Sequence, residues 1–451
     1  MTMETPICDF VRQYAQNEPL RLHMPGHKGK GFLGAERLDI TEINGADVLY
    51  HAGGIIKRSE ENAASLFGTA RTLYSAEGSS LAIRAMLYLT MLYGKTVGRR
   101  PLIAAGRNAH KSFMTATALL DLDVVWLHAQ ERESLLTCQI TGKELEQALR
   151  QMEEKPLAVY LTSPDYLGNM ADIRRLARVC HGYGALLLVD NAHGAYLNFL
   201  PESCHPIFLG ADACCDSAHK TLPVLTGGAY LHISPDAPKL FSRQAESAMS
   251  LFTSTSPSYL ILQSLDGANQ YLAEGYQERL ADFAAHVSAL KECLRQKGYL
   301  LAGDEPLKLT LMPKAYGYRG TELAELLREK GIVCEFADPD YLVMMLTPEI
   351  GREGLERLER ALRDVERRDA IMEKAPPLPT PKRVLSIREA LLSPSEELEA
   401  SKCAGRILAD ANVSCPPAVP ILVCGERVDE KAIACFAYYG IEKCRVVAKN
   451  R

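Results

Sequence analysis

Residues 185–194 read Ala-Leu-Leu-Leu-Val-Asp-Asn-Ala-His-Gly, and the fold class follows from them. A short continuous apolar run tipped by a carboxylate reads as a buried strand with a polar group at its carboxyl end. Outward from it, apolar runs alternate with helical spacing between Pro101 and Ile233. Expected strands are Leu102–Ala105, Val124–His128, Leu157–Thr162, Ala185–Val189, Ala213–Cys215 and Gly228–Ile233. Lys111–Leu120 and Ile173–His181 carry Leu, Ala and Val at helical intervals between them. That rhythm predicts an α/β domain with a mostly parallel sheet, where ligands sit beyond the carboxyl ends of the strands.

Further along, Thr255-Ser-Pro-Ser-Tyr259 breaks the chain before a helical run to about Lys297, read as one long bridging helix. Strands Leu307–Met312 and Tyr341–Leu346 around a helix Thr321–Lys330, capped by Thr321 and ended by Gly331, predict a second, smaller α/β unit. The stretch Ala375-Pro-Pro-Leu-Pro-Thr-Pro381 is a linker by composition. The expected organisation is an N-terminal arm over 1–60, a large domain over 61–270, a bridging helix with a small domain over 271–370, a linker over 371–383 and a C-terminal unit over 384–451.

The chain of 451 residues is 47% hydrophobic and 24% charged, enough for a large core and unlike a disordered or fibrous protein. Its formal charge of −5, without a long basic run, gives no sign of nucleic acid or an anionic membrane. No apolar run approaches a membrane span, and MTMETPICDF lacks the apolar stretch of a signal peptide, so a cytoplasmic location is expected. Thirteen cysteines without a C-x-x-C pair read as reduced thiols, with no metal site expected.

Four polar groups fall where such a sheet presents ligand sites. Asp190 follows its strand and must find a cationic partner or remain protonated at a cost. Asp216-Ser-Ala-His-Lys-Thr221 follows another strand and precedes Gly227 and Gly228; a lysine on such a turn becomes a nucleophile toward aldehydes once desolvated. Gly78-Ser79-Ser80 opens a helix from Leu81 to about Leu92, where small residues and hydroxyls suit a phosphate. Asn108-Ala-His110 offers a ring that could lie over a flat cofactor. Each alone is also an ordinary cap, turn or surface residue. A lysine and an acid on neighbouring strand ends, however, are what pyridoxal phosphate requires, one for its imine and one for its ring nitrogen. Gly29-Lys-Gly-Phe-Leu-Gly34 and Gly94-Lys95-Thr96 mimic nucleotide motifs, but no strand precedes the first and the second lacks its leading glycine.

Together, His23-Met-Pro-Gly-His-Lys28, Asp39-Ile-Thr-Glu42, Gly45-Ala-Asp47, Gly78-Ser-Ser80, Arg107-Asn-Ala-His-Lys-Ser112, Thr162-Ser-Pro164, Asp190-Asn-Ala-His-Gly194, Ser217-Ala-His-Lys220 and Thr255-Ser-Pro257 resemble the Orn/Lys/Arg decarboxylase family. The resemblance covers residue 20 to about 270. It implies a fold type I pyridoxal-phosphate large domain of the aspartate-aminotransferase-like kind, in the family's short form without an N-terminal receiver-like domain. By the same resemblance Lys220 carries the cofactor, Asp190 pairs with its ring nitrogen and His110 stacks on the ring. Ser79, Ser80, Ser217 and His219 surround the phosphate, His219 also lies near the reacting carbon, and His193 sits near the ring hydroxyl. Thr255 and Ser256 belong to a segment that reaches a neighbouring subunit's phosphate, which implies a homodimer or larger homo-oligomer with shared sites.

The implied reaction is decarboxylation of arginine, lysine or ornithine, as in polyamine biosynthesis. Two alternatives stay open: another fold type I reaction (aminotransferase or lyase), and a degenerate relative that binds a protein partner without turnover. The second is motivated by Glu77, where the family has asparagine, and by Cys415 and Cys424 in the C-terminal motifs. Glu426 is a candidate for the substrate's distal cation.

Overall fold

A computed structural model describes residues 3–129, 134–411 and 419–449. Its contacts define two compact units, Met1–Arg100 with Leu157–Val159 and Ile173–Ala281, and Pro101–Pro156 with Tyr160–Asp172 and Asp282–Arg451. Seven strands form the main sheet: β1 (Arg71–Ser75), β2 (Leu102–Gly106), β3 (Asp123–Leu127), β4 (Ala158–Thr162), β5 (Leu186–Asp190), β6 (Ala213–Asp216) and β7 (Ala229–Ile233). Their order is β1-β7-β6-β5-β4-β2-β3.

The sheet is mostly parallel. β5 runs parallel to β6, with Asp190 opposite Cys215, and β2 runs parallel to β3. β7 lies antiparallel to both β6 and β1. Six of the strands match the apolar runs to within one residue at either end. β1 was not anticipated: its Thr72 and Ser75 are polar yet buried, and each hydroxyl is hydrogen-bonded, Thr72 to His232 and Ser75 to the Gly78 carbonyl.

In the first unit the helix after β1 spans Ser79–Val97, starting earlier and ending later than the sequence suggested. The long helix expected after Tyr259 is instead two, Tyr259–Ala273 and Tyr276–Lys297. The reason is Gly275, whose φ of +69° lies in the left-handed region that an α-helix cannot contain.

In the second unit a four-stranded antiparallel sheet orders Phe336–Ala337, Leu342–Met345, Lys308–Leu311 and Leu301–Ala302. The accompanying helix covers Gly320–Glu329, so Thr321 lies inside it and does not cap it; Glu322 reaches back to the Arg319 amide instead. Gly331 follows this helix with φ +71°. Residues 375–381 form neither helix nor strand, and Ser395–Glu399 pairs with Lys443–Val447 beyond them.

A buried ion pair stitches this unit internally. Arg107, just after β2, donates from Nη2 to Glu426 Oε2 at 2.8 Å, and the same oxygen accepts from the Val423 amide at 2.7 Å. Both side chains are almost fully buried, so removal of one partner strands a charge away from water. Glu426→Ala is therefore expected to destabilise the protein by about 3–5 kcal/mol. Urea unfolding measures this directly, and a loss below about 1 kcal/mol would show that the guanidinium is compensated elsewhere.

Twelve cysteines fall among the described residues, all as free thiols, nine of them buried. Cys204, Cys293 and Cys334 are partly accessible. Cys415 lies outside the described residues. No helix among those described is long and apolar enough to cross a membrane.

Candidate active site

Asp190 and Lys220 stand at the carboxyl ends of adjacent parallel strands of the first unit, Asp190 ending β5 and Lys220 following β6. Asp190 is the last residue of β5 and is 3% exposed. Its Oδ1 accepts from the Ala192 amide at 3.3 Å and from the Cys215 thiol at 3.6 Å. Lys220 lies in the single helical turn Ala218–Thr221 after β6. Its Nζ stands 2.9 Å from His193 Nε2, in the loop that follows Asp190. An ammonium can only donate, so His193 Nε2 accepts and its ring carries the proton on Nδ1.

His219 turns the other way. Its Nδ1 lies 2.9 Å from the Gly228 carbonyl, which can only accept, so Nδ1 carries the proton and Nε2 is the basic nitrogen. Burial lowers its pKa below the ordinary histidine value, and the neighbouring Lys220 charge adds to that against the opposing Gly228 bond. The imidazole is therefore neutral at pH 7.

Ser79 is the first residue of the Ser79–Val97 helix, and Ser217 Oγ donates to Ser79 Oγ at 2.9 Å. Ser80 follows in the same first turn. Gly78, with φ +71°, turns the chain into this helix in a conformation that other residues resist. Two hydroxyls and a helix N-terminus thus share one place, with the partial positive charge of the helix dipole.

Glu77 does not project a bare charge there. Its Oε1 accepts from Thr253 Oγ1 at 2.6 Å and from the Ser254 amide at 2.7 Å. Thr255 and Ser256 are exposed, and the Ser256 amide donates to Ser254 Oγ at 3.1 Å. His110 belongs to the second unit, where it caps the helix Lys111–Leu120. Its Nδ1 accepts from the Ser112 amide at 3.1 Å and faces Ser112 Oγ at 2.9 Å. Glu426, expected to meet a substrate cation, is committed to Arg107 and Val423 as described above, so that expectation is withdrawn: its paired oxygen already holds a buried guanidinium.

The sequence model of the family described as Orn/Lys/Arg decarboxylase, major domain, matches residues 5–297. The chain belongs to that family. Among curated relatives, the uncharacterized protein YaaO of Bacillus subtilis (strain 168) is 31% identical, covering 96% of this chain and 93% of its own. An arginine decarboxylase of the same organism is 30% identical over 96% of this chain and 92% of its own. Among solved structures, the lysine decarboxylase LdcF of Francisella novicida superposes with a TM-score of 0.78 at 17% identity, covering 98% of this chain and 81% of that one. That likeness establishes the fold.

As a member of the Orn/Lys/Arg decarboxylase family, the chain is a pyridoxal-phosphate-dependent amino-acid decarboxylase of fold type I. The groups in the first unit fit that cofactor chemically: an amine for an aldehyde, a buried carboxylate for a basic ring nitrogen, and hydroxyls at a helix N-terminus for a phosphate ester.

One buried cluster next to this decarboxylase site escaped the sequence. Asp216 Oδ2 lies 3.1 Å from His205 Nε2 and 3.3 Å from His232 Nε2, and all three side chains are fully buried. Only the acid's place at the end of an apolar run was visible; the histidines lie on a loop and another strand, with no fixed spacing to announce them.

Proposed function

We propose that this decarboxylase acts on arginine, with Lys220 as the cofactor lysine and Asp190 as the partner of the ring nitrogen. The observation that carries the reading is the 2.9 Å contact of Lys220 with His193, in the loop headed by the buried Asp190. The similarity to a Bacillus arginine decarboxylase along nearly the whole chain supports arginine ahead of lysine and ornithine.

When bound, pyridoxal phosphate supplies a sink for the electron pair left on the α-carbon as the substrate carboxylate departs as carbon dioxide. Lys220 would hold the cofactor through Nζ. Asp190, which accepts from the Ala192 amide and the Cys215 thiol, would partner the ring nitrogen. Ser79, Ser80 and Ser217 would hold the phosphate, and His193 would lie near the ring hydroxyl. His219 is neutral with its Nδ1 proton engaged, so the proton that completes the amine comes from the released Lys220 ammonium. His219, with Nε2 unprotonated, would serve as an acceptor near the reacting carbon.

Since burial depresses the His219 pKa, its contribution is present at neutral pH and is lost only as pH falls below the ordinary histidine value of 6.5. His219→Gln, whose side-chain amide can still meet the Gly228 carbonyl, is expected to lower kcat roughly 10²-fold and to abolish that acid limb. A pH–rate profile identical to that of the parent enzyme would assign the limb to another group.

We further infer that the enzyme works in the cytoplasm as a homodimer whose Thr255 and Ser256 serve the neighbouring site. Exposed apolar residues of the first unit, among them Leu20, Leu22, Phe32 and Leu33, support burial against a second copy. Incubation with arginine, lysine and ornithine, read as carbon dioxide and amine formed, tests the proposed function. Preference for lysine or ornithine would overturn the substrate, and oxo-acid formation would overturn the reaction.

A further inference from the structure

Nothing in the reading above uses Asp216, yet it is a fully buried carboxylate immediately before the loop that carries Ser217, His219 and Lys220. Its Oδ1 accepts from Asn191 Nδ2 at 2.7 Å. Asn191 directly follows Asp190, and its backbone amide donates to the Cys215 carbonyl at 3.0 Å. The side chain and the backbone of one residue are thus both tied to the end of β6.

The loop 190–194 is built around this attachment. Gly194 donates its amide to the Asn191 carbonyl at 2.8 Å. A Cβ on Gly194 would stand 2.1 Å from Asn191 Oδ1 and 2.6 Å from Leu197 Cδ1, so only glycine leaves space for the asparagine amide to reach Asp216. Between these anchored residues lies His193, whose Nε2 meets Lys220.

On its other side Asp216 is held by His205 and His232. His232 Nδ1 in turn meets Thr72 Oγ1 at 2.8 Å on β1, and Phe67 packs over the His232 ring with centroids 4.5 Å apart. The carboxylate therefore bonds to Asn191 and His205 and lies 3.3 Å from His232 Nε2 on β7, all in a buried setting. Burial alone would push its pKa up; the charges and hydrogen bonds of the two imidazoles outweigh that and hold it ionised.

We infer that Asp216 is a positioning residue that fixes the distance between the Asp190 loop and the Lys220 loop through Asn191, and that His205 and His232 hold it in place for that task. The inference rests on the cofactor roles proposed for Asp190 and Lys220. Asp216 touches neither cofactor nor substrate. It acts by keeping an acid and an amine on adjacent strands in register with one ring, where displacement of about 1 Å can cost 10²-fold in rate.

The test uses Asn191→Ala, which removes the link and leaves the buried Asp216–histidine cluster intact, alongside Asp216→Asn. For Asn191→Ala the expected result is pyridoxal phosphate bound at least about 10-fold more weakly, with an altered pH titration of the lysine-bound cofactor's absorbance. Its kcat for arginine should fall while KM changes little. Asp216→Asn should reproduce the spectroscopic change, and Asn191→Ala carries the test alone if that variant does not fold.

Unchanged cofactor affinity and an unchanged absorbance titration in folded Asn191→Ala would overturn the inference. So would one equivalent of a transition metal per chain in purified protein, lost together with His205→Ala, because Asp216 would then be a metal ligand. Failure of the underlying reading looks different: Lys220→Ala that still carries reducible cofactor contradicts the lysine assignment, whatever Asn191→Ala does to affinity.

Discussion

Lys220→Ala protein, incubated with pyridoxal phosphate and reduced with borohydride, is expected to carry no covalently attached cofactor. Its decarboxylation rate should fall roughly 10⁴-fold or more, since one residue supplies both the anchoring amine and the proton returned to the α-carbon. The two losses are not additive, because groups that act as a unit fail as a unit. Lys220 sits at the end of a single helical turn, and its Nζ meets a neighbouring loop, so the truncation leaves the backbone bonds of β6 and β7 in place. Mass spectrometry of the reduced protein decides the matter: an adduct on any other lysine would mean that the chemistry lies elsewhere in the chain.

Asp190→Asn should produce the second-largest loss and a different signature. The amide retains an oxygen for the Ala192 N–H but no longer has a negative charge to keep a ring nitrogen protonated. We expect kcat to drop about 10³-fold, equivalent to about 4 kcal/mol in the barrier, while cofactor stays attached through Lys220. Binding and chemistry are thereby separated. A variant that keeps full turnover would falsify the role given to Asp190.

Much of this architecture can be read from the residues because buried parallel strands are nearly uninterrupted apolar runs. Leu186–Asp190 and Ala213–Asp216 appear with all positions buried, and the polar groups at their ends are conspicuous for that reason. β1 is hidden because Arg71–Ser75 mixes polar and apolar residues, and Arg71 and Thr72 find their partners, Glu246 and His232, far away in sequence. The break at Gly275 was missed because a glycine within a helical pattern signals nothing until its φ is known. Arg107 and Glu426 lie 319 positions apart, and no local rule joins them. The same holds for Asp216 with its two histidines. Contacts of that kind are set by topology, and only the assembled sheet displays them.

The distribution of thiols gives the protein an internal reporter. Nine of the described cysteines are buried, and burial pushes the Cys8 thiol to about 12 and the Cys424 thiol to about 12. Such groups ignore alkylating reagents until the surrounding structure opens. Cys8 lies in the helix Pro6–Gln16 of the first unit and Cys424 beside the Arg107–Glu426 pair of the second. Timed alkylation followed by peptide mapping would therefore date the opening of each half of the chain separately, without any added probe.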